Sequence, residues 1–120
     1  MRSLVQPARV AALVACLLLA TPALAAAGPP PNPYGHGVRY CGSFKSGYRI
    51  YVYASHTTCR TAMRIQKEYW RGKRRNKVIV NGGSGAMGYV LLKRYPGWKC
   101  TSGSGGGGCS KGRKGAYYQD

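Results

Sequence analysis

From Tyr48 to Ser55 apolar and polar positions alternate. Ile50, Val52 and Ala54 fall on one face of an extended chain, and Arg49, Tyr51 and Tyr53 on the other. This period of two predicts a strand. Val38-Arg39-Tyr40 reads as a second short strand leading into Cys41-Gly42, and Lys45-Ser46-Gly47 supplies a turn, so the two strands are expected to pair antiparallel. The period then lengthens. Cys59, Ala62, Met63, Gln66 and Trp70 recur at three- and four-residue spacing, with Ile65 and Tyr69 beside them. That is the core-facing stripe of a helix. Thr57 or Thr58 can cap its start, and Gly72 ends it. Arg60, Arg64, Lys67 and Arg71 take the wet side. Glu68 has Arg64 four residues before it and Arg71 three after, which predicts a surface ion pair.

Beyond the helix, Lys77 to Val80 predicts a short strand. Tyr89 to Tyr95 is compatible with strand or helix; strand is the better reading because Pro96 stops it early. Trp98-Lys99-Cys100 continues the sheet, and Gly115 to Gln119 closes it. Thr101 to Gly108 is almost pure Gly and Ser and is expected to be a mobile hairpin tip. The fold class is therefore α+β: a small, mostly antiparallel sheet packed by one main helix.

The start of the chain gives an address. Val10 to Ala20 is an unbroken apolar run of 11 residues, after a basic start carrying Arg2 and Arg9. Spanning a bilayer takes roughly 20. Small residues follow at Ala23, Ala25 and Ala27, as a signal peptidase requires. Residues 1–25 are expected to be a cleaved secretory signal peptide, with 27 as the alternative end. No transmembrane segment is expected after cleavage, so the protein is expected to be secreted. Residues 26–36 contain Gly-Pro-Pro-Pro-Asn-Pro and are expected to form an extended tether. Residues 37–120 form the domain.

Cys16 leaves with the leader, so Cys41, Cys59, Cys100 and Cys109 remain. An even count in a small exported chain implies a disulfide framework. Four cysteines allow three pairings. Cys41–Cys59 would tie the first strand to the helix start, and Cys100–Cys109 would close the Gly-rich tip. No Cys-x-x-Cys occurs, the intervals are uneven, and no metal is expected.

The cysteines and their neighbours carry a resemblance. Cys41-Gly42 follows the first short strand; Thr57-Thr58-Cys59-Arg60-Thr61-Ala62 opens the helix, and Trp70 lies near its end; Gly97-Trp98-Lys99-Cys100 and Cys109 follow. In these features the chain resembles small secreted, disulfide-stabilised bacterial proteins, frequent in actinobacteria, that lack an established function. The resemblance covers most of Val38 to Gln119. It implies a fold and no activity.

Charge narrows the function classes. The formal net charge is +17; losing Arg2 and Arg9 leaves 17 cations against Glu68 and Asp120, or +15. Such a field attracts anionic polymers and surfaces. Arg71, Lys73, Arg74, Arg75 and Lys77 place five cations in seven residues and form the expected anion-binding segment. Ten tyrosines and two tryptophans accompany the charge, and aromatic faces with cations suit bases or sugars. General acid-base chemistry has little to work with. His56, Glu68 and an arginine match the residue types of a small secreted ribonuclease, but His56 and Glu68 stand a helix apart, and no catalytic residue is assigned. Gly83-x-Gly85-x-x-Gly88 matches the dinucleotide fingerprint behind a strand. That motif needs a following helix and an acidic residue some 20 positions on, and no Asp or Glu lies between Glu68 and Asp120. The motif reads as a flexible connection, and no cofactor is expected. The preferred reading is a monomeric, non-enzymatic binding module for an anionic polymer, either nucleic acid or a cell-wall polyanion. A secreted antimicrobial or inhibitor and a ribonuclease-like enzyme are the alternatives.

Overall fold

The computed structural model describes residues 31–120. The expected signal peptide and the opening of the expected tether lie outside the described residues. Strands β1 (Val38–Ser46) and β2 (Tyr48–Ser55) form the expected hairpin, turning at Gly47, whose φ of 85° suits glycine. Helix α1 (Cys59–Arg71) follows. The chain then meanders through β3 (Lys77–Val80), β4 (Tyr89–Leu92), β5 (Lys99–Gly103), β6 (Gly106–Lys111) and β7 (Lys114–Gln119). The result is one seven-stranded antiparallel sheet in the order β1-β2-β7-β6-β5-β4-β3. The last strand lies in the middle, with Val52 opposite Tyr118 and Ala54 opposite Ala116, while β1 and β3 are the edges.

One face of the sheet carries the core. Ile50, Val52, Ala54, Cys100, Cys109 and Ala116 are all 0% exposed and pack with Ala62 and Ile65 of α1. Burial of this kind contributes about 25 cal/mol per Å² of apolar surface. The helix lies mainly over β1, β2, β7 and part of β6. A sheet packed by one helix therefore describes that half; on the β5-β4-β3 wing, Val90, Leu92 and Trp98 extend the same core. Thr58 caps α1, its hydroxyl accepting from the Thr61 amide at 3.1 Å. Gly72 ends the helix in extended geometry, with φ of −62°, so conformational freedom is not its purpose. Space is: a Cβ there would lie 2.8 Å from Glu68 Cδ.

The Gly-rich stretch departs from expectation. Thr101 to Gly108 is a paired ladder, with Ser102 opposite Gly107 and Gly103 opposite Gly106, and only Ser104-Gly105 turns the corner. Its glycines make room for rings. A Cβ on Gly108 would lie 2.5 Å from Tyr117 Cδ1 on one face; on Gly107 it would lie 2.9 Å from Tyr118 Cε1 on the other. Glycine inside a strand marks such close approach. Read by composition alone, the same residues look like a flexible loop.

The fingerprint glycines serve a tight connection. Gly83 and Gly85 have φ near +80°, at 80° and 81°, and the chain runs from Gly88 into strand β4 and not into a helix. The disulfides form as expected. Cys41–Cys59 and Cys100–Cys109 have Cα–Cα distances of 5.1 and 3.9 Å.

Burial raises three tyrosine hydroxyls, which predicts a loss of stability at alkaline pH. Burial holds the Tyr118 hydroxyl above its ordinary value of 10.0, with Tyr69 adding to the effect, and burial raises Tyr34 and Tyr53 in the same direction. Above about pH 10 the unfolded chain loses these protons while the folded chain keeps them. Their stabilisation is thus complete below that pH and is lost as pH rises further. Lys77, lowered by burial, opposes this: the folded chain releases its proton first, so stability rises until the unfolded lysine also titrates. Three tyrosines outweigh one lysine. The urea midpoint should fall between about pH 9 and about pH 11; an unchanged or rising midpoint would contradict the packing described for these rings.

Candidate functional site

The C-terminal end of α1, the following 3-10 turn (Arg74–Asn76) and the turn after β4 enclose an open cavity of about 480 Å³. Lys67, Arg71, Lys73, Arg75 and Arg94 surround it, with Glu68 among them. Three of the five cations expected to bind anions line this cavity. Arg71 is also an anchor. Its guanidinium stands 5.1 Å from the centre of the Phe44 ring and donates to the Lys45 carbonyl, fixing the helix end on β1. Arg74 is exposed but does not line the cavity. Lys77 is half-buried, and its ammonium donates to the Tyr69 carbonyl at 2.7 Å. Lys77 thus braces the helix to β3. Lys67 and Arg94 are the cations that the run of basic sequence missed.

Glu68 is not the surface residue its helical neighbours predict. It is 8% exposed, and its Oε2 lies 3.5 Å from Arg94 Nη1; among the described residues neither expected partner, Arg64 or Arg71, forms an ion pair with it. Its Oε1 has no hydrogen-bond partner among the described residues. Glu68 follows Ile65 by three residues and so shares the buried line of the helix down to Gly72. The missing Gly72 side chain leaves room for its carboxyl. One carboxylate thus sits among five cations and cannot neutralise them.

The histidine reading finds no support in the geometry. His56 is exposed ahead of α1, and from Cys59 to Glu68 the helix rises about 14 Å. The two are not brought together.

The face of the sheet away from α1 holds what the sequence reading located only loosely. Tyr40, Tyr51, Tyr53 and Tyr117 share it by strand register, with Lys45, Arg49 and Lys99. Tyr34 joins them from the segment expected to be a tether. Its ring stacks on Tyr117 at 4.8 Å and 21°, and its hydroxyl donates to the Tyr118 and Gly107 carbonyls. Asn32 sets the bend that brings it there: Asn32 Oδ1 accepts from the Tyr34 amide at 2.9 Å, and Nδ2 donates to the Val38 carbonyl at 2.7 Å. Asn32 inside a proline run was the available signal. Tyr34, Tyr53 and Tyr40 continue the contact at 5.6 Å steps.

Compared with known proteins, the chain matches no family model, no curated protein sequence and no solved structure.

Proposed function

We propose that the protein is a small secreted cationic binding module for an anionic polymer or surface, nucleic acid or cell-wall polyanion. The observation that carries this reading is the ring of Lys67, Arg71, Lys73, Arg75 and Arg94 around one open cavity, countered by Glu68 alone. Those side chains come from three separate segments, so the clustering is a product of the fold. Two disulfides in so small a domain fit an oxidising, extracellular compartment, and the leader-like start of the sequence fits export. The resemblance to small secreted actinobacterial-type proteins agrees with that location.

Salt titration tests the reading. Each phosphate contact on duplex DNA contributes about −0.9 to the slope of log K against log salt. Lys73, Arg74 and Arg75 are exposed and away from the buried stripe, whereas Lys77 has a structural partner. Replacing Lys73, Arg74 and Arg75 with Gln should flatten the slope by about 2–3 units if all three meet phosphates, with the fold intact. Lost affinity at an unchanged slope would move the contact to the tyrosine face. Leakage of anionic vesicles at the same concentrations would favour the antimicrobial reading. No binding to DNA, RNA or poly(glycerol phosphate) at low salt would end the proposal.

A further inference from the structure

Single-stranded nucleic acid differs from a polyol phosphate in one respect that matters here: it carries planar rings. The sheet face away from α1 has a place for them. A groove of about 440 Å³ runs along β6, and Gly108 and Ser110 are part of its lining. The Tyr34–Tyr117 stack forms one wall, and Lys99 and Thr101 of β5 form the other. Tyr117 leans from β7 over β6, where a Cβ on Gly108 would lie 2.5 Å from its Cδ1, so the stack borders the groove above β6 and the β5 side chains border it from the next strand. Gly106 and Gly108 of β6 carry no side chain on this face, and the rings lie above them: a Cβ on Gly106 would be 3.2 Å from the Tyr34 hydroxyl. A larger residue at either position would displace the Tyr34–Tyr117 stack that borders the groove.

Charge and aromatic surface coincide in this groove. Lys99 Nζ lies 4.0 Å from the centre of the Tyr89 ring, which holds the ammonium at the lip. Farther along the same face, Arg49 donates to Ser43 Oγ at 2.9 Å beside Tyr51. Tyr40 remains 41% exposed, while Tyr34 and Tyr117 are partly buried. A row of rings bordered by cations is the arrangement that binds single strands, with stacking independent of sequence and phosphates held at the border. Duplex DNA keeps its bases stacked inside and offers such a face nothing.

We propose that this groove is a second site, separate from the cavity at the end of α1, which takes the bases of single-stranded nucleic acid against Tyr34 and Tyr117, with Lys99 on the adjoining phosphate. The site deepens the polyanion reading and rests on it: the bases select nucleic acid over polyol phosphate.

The test compares an oligodeoxythymidylate with an abasic strand of equal phosphate number, both titrated against the oxidised protein at several salt concentrations. The base-bearing strand should bind roughly tenfold more tightly at every salt concentration. Tyr34→Ala should bring that ratio close to one and leave abasic binding unchanged. Tyr34→Phe keeps the ring and should keep the ratio, which separates stacking from the hydroxyl's bonds to Tyr118 and Gly107. Lys99→Gln should reduce the salt slope by about 0.7. Equal binding of the two strands by the unaltered protein would overturn the aromatic site and leave the polyanion reading standing. So would an unchanged ratio in folded Tyr34→Ala. Failure of both strands to bind at low salt would overturn both.

Discussion

Gly107→Ala should cost about 3 kcal/mol or more of stability, the upper range for forcing atoms into a filled site. The added Cβ would lie 2.4 Å from the Thr101 carbonyl oxygen and 2.9 Å from both Ser102 Cα and Tyr118 Cε1. Two of those neighbours are backbone of the paired strand, so no side-chain rotation relieves the contact. The ladder between β5 and β6 must open, and Tyr118, which is 1% exposed at the centre of the core, must move with it. Gly105→Ala is the control. Gly105 has φ of 77°, and its added Cβ meets nothing nearer than Asp120 Oδ1 at 4.0 Å, so only the left-handed conformation is penalised, at about 1 kcal/mol. Urea unfolding of both variants measures the difference. Equal costs would mean that β6 is the loose loop its composition suggests.

That contrast marks where the sequence was legible. Alternation in β2 and the stripe of α1 are local periodicities, and each depends on a face that the chain itself repeats. They located the hairpin, the helix and a cap at Thr57 or Thr58, of which the fold uses Thr58. The cysteines lay where the hairpin and the β5–β6 ladder could join them. Long-range placement was not legible. Nothing near Glu68 announces that Arg94, 26 positions on, will stand opposite it, and the two arginines spaced for a helical pair were the better local candidates. Lys77 looked like the end of a basic run because its partner is a backbone carbonyl, which no sequence pattern displays. Gly106, Gly107 and Gly108 were read by what glycine permits in isolation. In the fold Gly108 is defined by the Tyr117 ring, Gly107 by the β5 backbone and Tyr118, and Gly106 by the Tyr118 carbonyl and Tyr34, relations that exist only once β5 and β7 flank β6.

The two disulfides should differ in both access and stabilisation, in the order opposite to their loop lengths. The chain-entropy argument favours Cys41–Cys59, which closes the longer loop, 18 residues against nine. On that basis alone the bridges contribute about 3.2 and 2.6 kcal/mol. Burial reverses the order. Cys100 and Cys109 are both 0% exposed and lie in the core beside Gln66, whose amide stands 3.7 Å from Cys109 Sγ. Cys41 and Cys59 are only partly buried at its margin. Replacing the inner pair with Ala therefore also removes two packed sulfurs and leaves a cavity, adding about 1 kcal/mol for each. Cys100→Ala with Cys109→Ala should cost about 4–5 kcal/mol, and Cys41→Ala with Cys59→Ala about 3. Access follows the same burial. Under native conditions a thiol reductant should open Cys41–Cys59 first, and alkylation followed by mass mapping should find label on those two cysteines alone. Label should reach Cys100 and Cys109 only at the denaturant concentration that unfolds the sheet. Simultaneous labelling of all four below that concentration would show that the inner bridge is open to solvent and that the β5–β6 ladder does not seal this side of the core.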